Sequence, residues 1–180
     1  MLKPGPGACA GWAPDPVENF DPVPWAIPGF VALILLEMLW ARRRARQAYE
    51  PRDTLTSLLL GLGSTVSGML TGTLVLAAAL WLYQFRPITI GWAWWAWGLC
   101  FVLDDLGYYW AHRLGHRVRW FWASHINHHS SQHYNLSTAL RQTWTGFIAL
   151  SFLFRIPLAL AGFHPAMLAT VAGFNLIYQF

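Results

Sequence analysis

Two short blocks of histidines are the residues of this chain best suited to chemistry. Five of the seven histidines fall in His112-Arg-Leu-Gly-His116 and His125-Ile-Asn-His128-His129, and eight residues separate the blocks. Residues three or four positions apart share one face of a helix, so each block predicts a helical face lined with imidazoles. Imidazole is the commonest metal ligand, and one tight reversal in the gap joins the two faces. The spacing therefore predicts a metal site formed by His112, His116, His125, His128 and His129.

The other two histidines are weaker candidates. His133 follows His129 by four residues and would extend the second helical face, but the intervening Ser130-Ser131-Gln132 favours a turn. His133 is therefore a secondary candidate ligand. His164 lies in a turn that contains Pro165, where an isolated histidine is usually solvated or hydrogen-bonded.

Residue type and spacing narrow the kind of metal chemistry. A zinc peptidase helix needs His-Glu-x-x-His, whereas Arg113 follows His112. A structural zinc site normally uses thiolates, and neither Cys9 nor Cys100 lies in this region. A bis-His haem electron carrier stays open as an alternative, although haem ligation leaves the other histidines unexplained. The thiolate-free cluster favours redox-active iron, as two ions, which activates O2 against an inert C–H bond.

Polar residues near the blocks are candidates for supporting the metal ligands. Asp105 and Tyr109 precede His112 by seven and three residues, and a carboxylate there can accept the second ring N–H of a ligating histidine. Asn135 and Arg141 follow the second block and are candidates to bind a ligand or a polar substrate headgroup. In the simpler interpretation, Asp104 and Asp105 mark a membrane boundary and Arg141 is a basic anchor.

The composition indicates what surrounds these histidines. Hydrophobic residues make up 56% of the 180 positions, charged residues make up 11%, and the mean hydropathy is +0.36. Residues 54–85 form an uncharged run of 32 residues, which exceeds the roughly 20 residues that cross a bilayer. The sequence therefore predicts an integral, multi-pass membrane protein. Its net charge of +4 comes from residues beside the predicted spans, which argues against a nucleic-acid partner.

The apolar segments predict an all-α fold, an integral membrane helical bundle of about four to five membrane helices. Spans are expected at 25–41, 54–85 and 88–109, followed by a helical pair at 142–154 and 156–180 that turns near Gly162-Phe163-His164-Pro165. Residues 1–24 hold six prolines and three glycines and predict a flexible leader. The membrane-embedded domain is accordingly expected to comprise residues 25–180.

Clusters of basic residues predict the orientation of the bundle. One cluster follows the first span and comprises Arg42, Arg43, Arg44 and Arg46. The other accompanies the histidine blocks and comprises Arg113, Arg117 and Arg119. Under the positive-inside rule, the end of the first span is cytoplasmic. After two further membrane crossings, the chain is again on the cytoplasmic side. Both clusters therefore place the histidine blocks on the cytoplasmic face.

The pattern His-x3-His, eight residues, His-x2-His-His resembles the membrane-bound di-iron fatty acid hydroxylase and sterol desaturase superfamily. The run from His128 to Gln142 is similar to its alkylglycerol monooxygenase-like branch, and the similarity covers about residues 50–180. The resemblance implies that the five block histidines bind iron in a four-helix membrane scaffold. It also implies O2-dependent hydroxylation or desaturation of a lipid, sterol or alkylglycerol-type C–H bond, with an external electron donor.

The sequence departs from the family at its end. The family has a further histidine box downstream, whereas this sequence stops at Tyr178-Gln179-Phe180. The histidines present are fewer than the family devotes to two metals. We therefore expect an incomplete domain, truncated before the third box, which binds one metal weakly and is inactive. The alternative function is a non-catalytic membrane metal-binding or structural protein.

Overall fold

The computed structural model of the chain describes residues 22–44 and 47–179, without the side chains of residues 148, 149 and 151. These residues contain helices and no strand, so the predicted all-α class is confirmed for them. The α-helices are α1 Val23–Arg43, α2 Pro51–Tyr83, α3 Trp94–Arg117, α4 Arg119–His125, α5 Ile156–Leu160 and α6 Pro165–Tyr178. Short 3-10 segments occupy Leu136–Leu140, Gly146–Ala149 and Ser151–Arg155.

The N-terminal boundary differs slightly from the prediction. Helix α1 begins at Val23, inside the segment predicted as a leader, because Pro24 suits the first turn of a helix, where its missing N–H is not needed. Residues 1–21 of that leader, together with Arg46 of the first basic cluster, lie outside the described residues.

Helices α1 and α2 have the length and composition to cross a membrane, and in the described residues they alone meet that test. In the most apolar stretch of α1, 6% of the residues are buried within the molecule, and in that of α2 the share is 0%. Their leucines therefore face outward, as in a helix solvated by lipid and unlike the core helix of a soluble protein. Helix α2 has 33 residues, a length of about 50 Å. These helices support the prediction of a membrane protein.

The predicted third span corresponds only partly to a helix. Helix α3 begins at Trp94 instead of residue 88 and continues past residue 109 through the first histidine block to Arg117. Asp104 and Asp105 lie in its middle, and the helix is too polar to count as a candidate span. The predicted total of membrane helices is therefore not confirmed.

The predicted helical arm at 142–154 is wrong. Two 3-10 segments occupy most of it, and Leu150 between them has the left-handed φ of 52°. Only the five residues of α5 follow before the turn, which lies where the sequence predicts it. Gly162 has φ +104° in that turn, and a Cβ there would lie 2.4 Å from the carbonyl oxygen of Ile88. Only glycine fits this close approach of two backbones.

The buried core joins the N-terminal half of α3 to α5 and α6. Its fully buried members are Ala96, Cys100, Ala159, Phe163, Met167, Leu168 and Val171. Small side chains on α3 let α6 approach closely, and the bulk of Phe163 and Met167 fills the space between them. This packing fixes the helix that carries the first histidine block.

Candidate metal centre

The two histidine blocks meet because the chain reverses tightly between α3 and α4. Val118 adopts extended backbone between the helices, with φ −113° and ψ 124°. Gly115 lies buried on α3 where His125 of α4 packs against it, and a Cβ at this position would lie 3.2 Å from the His125 Cγ. The missing side chain of Gly115 therefore lets the second block lie directly against the first.

Four imidazoles converge at this reversal. His112 Nε2 lies 3.2 Å from His116 Nε2, which lies 3.2 Å from His125 Nε2, which in turn lies 3.1 Å from His129 Nε2. One ligand atom from each of the four lies within 4.8 Å of the others. The structure thus brings together four of the five block histidines predicted as ligands.

The geometry of the four nitrogens suits a cation better than a chain of hydrogen bonds. A neutral imidazole carries one N–H, so a central Nε2 cannot donate to neighbours on both sides. Two nitrogens about 2.1 Å from a shared metal ion lie roughly 3 Å apart, which agrees with the spacing of 3.1–3.2 Å. A thiolate-free set of imidazoles is also a donor set that iron accepts. The residues therefore fit an iron ion.

Desolvation favours the neutral form of His112, His125, His128 and His129. Desolvation, followed by the charges of neighbouring histidines, lowers the pKa of His125 to about 4. The same two causes lower the pKa of His112, His128 and His129. A neutral imidazole has a lone pair for a metal, so the cluster is ready to bind one at neutral pH.

His128 and His133 stand outside the group of four. The His128 ring centroid lies 5.9 Å from that of His125, and its Nδ1 is buried with no hydrogen-bond partner among the described residues. His133 contributes its backbone instead, because its N–H donates to Ser131 Oγ at 3.1 Å and its carbonyl oxygen accepts from Thr138 Oγ1 at 3.2 Å. His164 accepts from the Ala166 N–H at 3.2 Å at the start of α6, as expected for a hydrogen-bonded histidine.

The predicted supporting residues on α3 have other partners, and a neighbour takes their place. Asp105 accepts a hydrogen bond from the Tyr178 hydroxyl, and the Tyr109 hydroxyl accepts from Arg113 at 2.8 Å. Tyr108 Oη lies 3.2 Å from His112 Nδ1. Tyr108 precedes His112 by four residues, which places both on one helical face and is a signal that the sequence offered.

The predicted residues after the second block hold the loop in place. Arg141 is 8% exposed and donates to Asp53 at 2.7 Å and to Ser130 Oγ at 2.9 Å. Asp53 also accepts from Ser131 Oγ at 2.6 Å. Asn135 accepts from the Ser137 N–H at 3.0 Å and donates to the Ala48 carbonyl at 2.7 Å. These bonds tie the loop after His129 to the start of α2, and none of them reaches an imidazole.

A cavity of about 430 Å³ opens beside the cluster. The histidines that line it are His112, His125 and His128. Apolar side chains such as Phe121, Phe154 and Leu176 form much of its wall, and a polar group formed by Asp104, Arg155 and Asn175 also lines it. Volumes of this order are typical of pockets for small molecules. The sequence prediction missed this polar group because Arg155 and Asn175 are distant from Asp104 in sequence.

The fold and the site together define an all-helical protein with two membrane-type helices and a cluster of imidazoles beside a largely apolar cavity. Residues 97–180, which include both histidine blocks, match the sequence model of the family described as Fatty acid hydroxylase. These residues therefore belong to the fatty acid hydroxylase superfamily, as the spacing of the histidines predicted, and the chain is similar to its alkylglycerol monooxygenase-like branch.

Named relatives are similar to most of the chain. It is 39% identical over 159 residues to an alkylglycerol monooxygenase of Danio rerio, covering 86% of this chain and 35% of that protein. It is 38% identical over 164 residues to an alkylglycerol monooxygenase of Homo sapiens, covering 89% of this chain and 36% of that protein. The chain thus spans about a third of the length of these relatives. No solved structure matches it significantly.

Proposed function

We infer that this chain serves in a membrane-bound iron oxygenase, which uses O2 and an external electron donor to hydroxylate or desaturate a C–H bond of a lipid. The observation that carries the proposal is the convergence of four histidine Nε2 atoms within 4.8 Å beside an apolar cavity. The similarity to alkylglycerol monooxygenases supports a substrate of the lipid, sterol or alkylglycerol class.

The metal ligands in this proposal are His112, His116, His125 and His129, with His128 as a fifth through its unpartnered buried Nδ1. His133 is a less favoured sixth because its backbone, rather than its ring, makes its described hydrogen bonds. We propose that two iron ions are bound. When bound, iron would activate O2. No general acid or base is required of the protein.

The side chains around the site orient the reactants. Hydrogen bonding of His112 Nδ1 to Tyr108 fixes the ring with its Nε2 lone pair toward the other ligands. The aromatic and aliphatic wall of the cavity binds a lipid tail and excludes water from the reacting carbon. The cavity therefore provides the orientation and dry surroundings that C–H oxidation needs.

We also propose that the histidine cluster faces the cytoplasm. Asn135 donates to Ala48, and Arg141 pairs with Asp53, so the loop after the second block lies at the same end of the molecule as the α1–α2 connection. That connection follows Arg42 and Arg43 in the last turn of α1. Arg42 and Arg43 thus lie at the same end as the loop after the second block, which supports a cytoplasmic location under the positive-inside rule.

A non-catalytic metal-binding protein is the alternative, and metal analysis with an oxidation assay separates the two. We expect iron in the detergent-purified chain and its loss in His116→Ala and His125→Ala variants, because each removes a converging nitrogen. His133→Ala is the matched control and is expected to retain iron. Iron content that is the same in all variants would contradict the proposed site.

The oxidation assay uses membranes that contain the protein, an alkylglycerol, O2 and a chemical electron donor. We expect an O2-dependent oxidised lipid that disappears in the His125→Ala variant. Histidine-dependent iron without such a product would instead support the non-catalytic alternative. A Soret band in the purified protein would favour the haem alternative, which four converging Nε2 atoms argue against, because a porphyrin lies between its two axial ligands.

A further inference from the structure

A polar group centred on a buried carboxylate lies in the cavity wall away from the histidines. Asp104 is 1% exposed and accepts from Arg155 Nε at 2.6 Å and Arg155 Nη2 at 3.2 Å. It also accepts from Asn175 Nδ2 at 2.5 Å. All three side chains line the cavity. The carboxylate is thus fully engaged and orients an arginine and an asparagine toward the same space.

The asparagine leaves one strong acceptor without a donor. Asn175 is 2% exposed, and its Oδ1 has no hydrogen-bond partner among the described residues. Its amide orientation is fixed because Nδ2 must face the Asp104 carboxylate. A buried carbonyl oxygen without a partner is costly, and Asn175 lines the cavity, so a donor group bound there would offset that cost.

The charges of the group select the kind of donor. The guanidinium of Arg155 and the carboxylate of Asp104 offset each other, so the group has no net charge to attract an ion. An anionic headgroup would meet the Asp104 carboxylate as well as the Arg155 guanidinium, and an ammonium would meet both as well, so neither charge is favoured by this pair. An uncharged hydroxyl can donate to Asn175 Oδ1 and accept one of the guanidinium N–H groups, of which Arg155 uses two of five for Asp104.

The group lies in line with the histidines along α3. Asp104, Tyr108 and His112 follow one another in steps of four residues and all line the cavity. Asp104 and His112 are therefore about 12 Å apart along the helix axis. A lipid held at the Asp104 end can extend along this face so that a carbon of its chain lies beside the imidazoles.

We propose that Asn175 and Arg155, oriented by Asp104, form the position that binds the uncharged, hydroxyl-bearing headgroup of the lipid. That this lipid is the substrate rests on the proposed oxygenase function. The location of the headgroup-binding position rests on the contacts of Asp104, Arg155 and Asn175 in the structure. Asn175 and Arg155 are then specificity-determining residues, which favour a lipid alcohol over a lipid of the same length that has no hydroxyl.

The test compares two ligands that share one alkyl chain and differ at their two hydroxyl groups. Binding of radiolabelled hexadecylglycerol and of its dimethyl ether, in which both hydroxyls are capped, is measured with the full chain in nanodiscs. We expect about tenfold tighter binding of hexadecylglycerol, since the capped ligand leaves Asn175 Oδ1 unpaired. The Asn175→Leu variant is expected to bind both ligands equally. Thr170→Val, a buried change on the same helix outside the cavity, is expected to keep the preference.

Equal binding of both ligands by the unmodified protein would overturn the proposal without any variant. A folded Asn175→Leu protein that keeps the preference would also overturn it. If Asn175→Leu does not fold, Arg155→Lys tests the same position, because lysine keeps the charge but cannot make the two hydrogen bonds of the guanidinium. This variant is expected to weaken the preference for hexadecylglycerol severalfold. These measurements need neither iron nor O2, so a failed oxygenase assay with an intact preference would refute the catalytic proposal alone.

Discussion

Tyr108 and Tyr109 illustrate how one residue of helical rotation decides which side chain supports the site. Both are adjacent to the first block in sequence, but Tyr108 contacts His112 Nδ1 whereas Tyr109 accepts a hydrogen bond from Arg113. A metal ligand is strengthened when its second ring nitrogen is held by a polar neighbour. The structure therefore assigns this supporting position to Tyr108.

Removing the Tyr108 hydroxyl tests this assignment. We expect Tyr108→Phe to lower the iron affinity about tenfold, because the His112 ring is then free to rotate. The affinity is measured by titrating iron-loaded protein with a chelator. Tyr109→Phe is the matched control and is expected to bind iron as the unmodified protein does. Equal affinities in the two variants would show that the hydroxyl of Tyr108 has no part in positioning His112.

Contacts between elements hold the second histidine block in place. An irregular loop follows the block. Asp53 at the start of α2 and Arg141 after the first 3-10 segment anchor that loop. The Asp53–Arg141 ion pair is central to this anchor, with side-chain exposures of 16% and 10%. Such a pair gives little net stability compared with apolar packing, but loss of one partner leaves an uncompensated buried charge.

Removal of this ion pair is expected both to destabilise the fold and to make the position of the second histidine block less fixed. We expect Arg141→Met to lower the free energy of unfolding by about 3 kcal/mol, because Asp53 is left unpaired. The change is measured by denaturant unfolding in detergent, and iron affinity is expected to fall in the same variant. Arg52→Met, an exposed neighbour of Asp53, is the control and should leave both quantities unchanged. Unaltered stability in Arg141→Met would contradict the anchoring role.

Helix α2 separates two ends of the described part of the molecule. Arg42 and Arg43 in the last turn of α1, Ala48 before α2 and the loop after His129 lie at one end, whereas the connection from α2 to α3 follows the far end of α2. Helix α2 is long enough to separate the two ends by the full thickness of a bilayer. The orientation of the protein in the membrane therefore decides which compartment the histidine cluster faces.

Cysteine labelling from one side of the membrane tests the orientation. Gln47, Gln84 and Gln132 are exposed, and each is replaced by cysteine in a Cys9→Ser background. We expect a membrane-impermeant maleimide to label Gln84→Cys in intact cells. Gln47→Cys and Gln132→Cys are expected to react only after permeabilisation. The opposite pattern would place the histidine cluster outside the cell, and labelling of all three in intact cells would contradict a spanning α2.

Local patterns in the sequence were sufficient for the histidine site and for the membrane-type helices. His112, His116 and His125 lie in two adjacent helices and His129 in the turn that follows, and helical geometry with a short reversal leaves little freedom in their proximity. The uncharged run that became α2 is likewise recognisable without a tertiary structure, since length and apolarity alone determine a span. The superfamily follows from the same histidine spacing.

The tertiary structure decided what no local pattern contains. The 142–154 segment is as apolar as a helix, but it forms 3-10 turns with left-handed Leu150 between them, and these turns pack against α4 and α3. Arg141 and Asp53 are separated by 88 residues, and Asp104 and Asn175 by 71. Which polar side chains meet across such separations depends on how the helices pack, and helix packing depends on all their surfaces at once. The headgroup position proposed for Asn175 therefore became visible only in the folded chain.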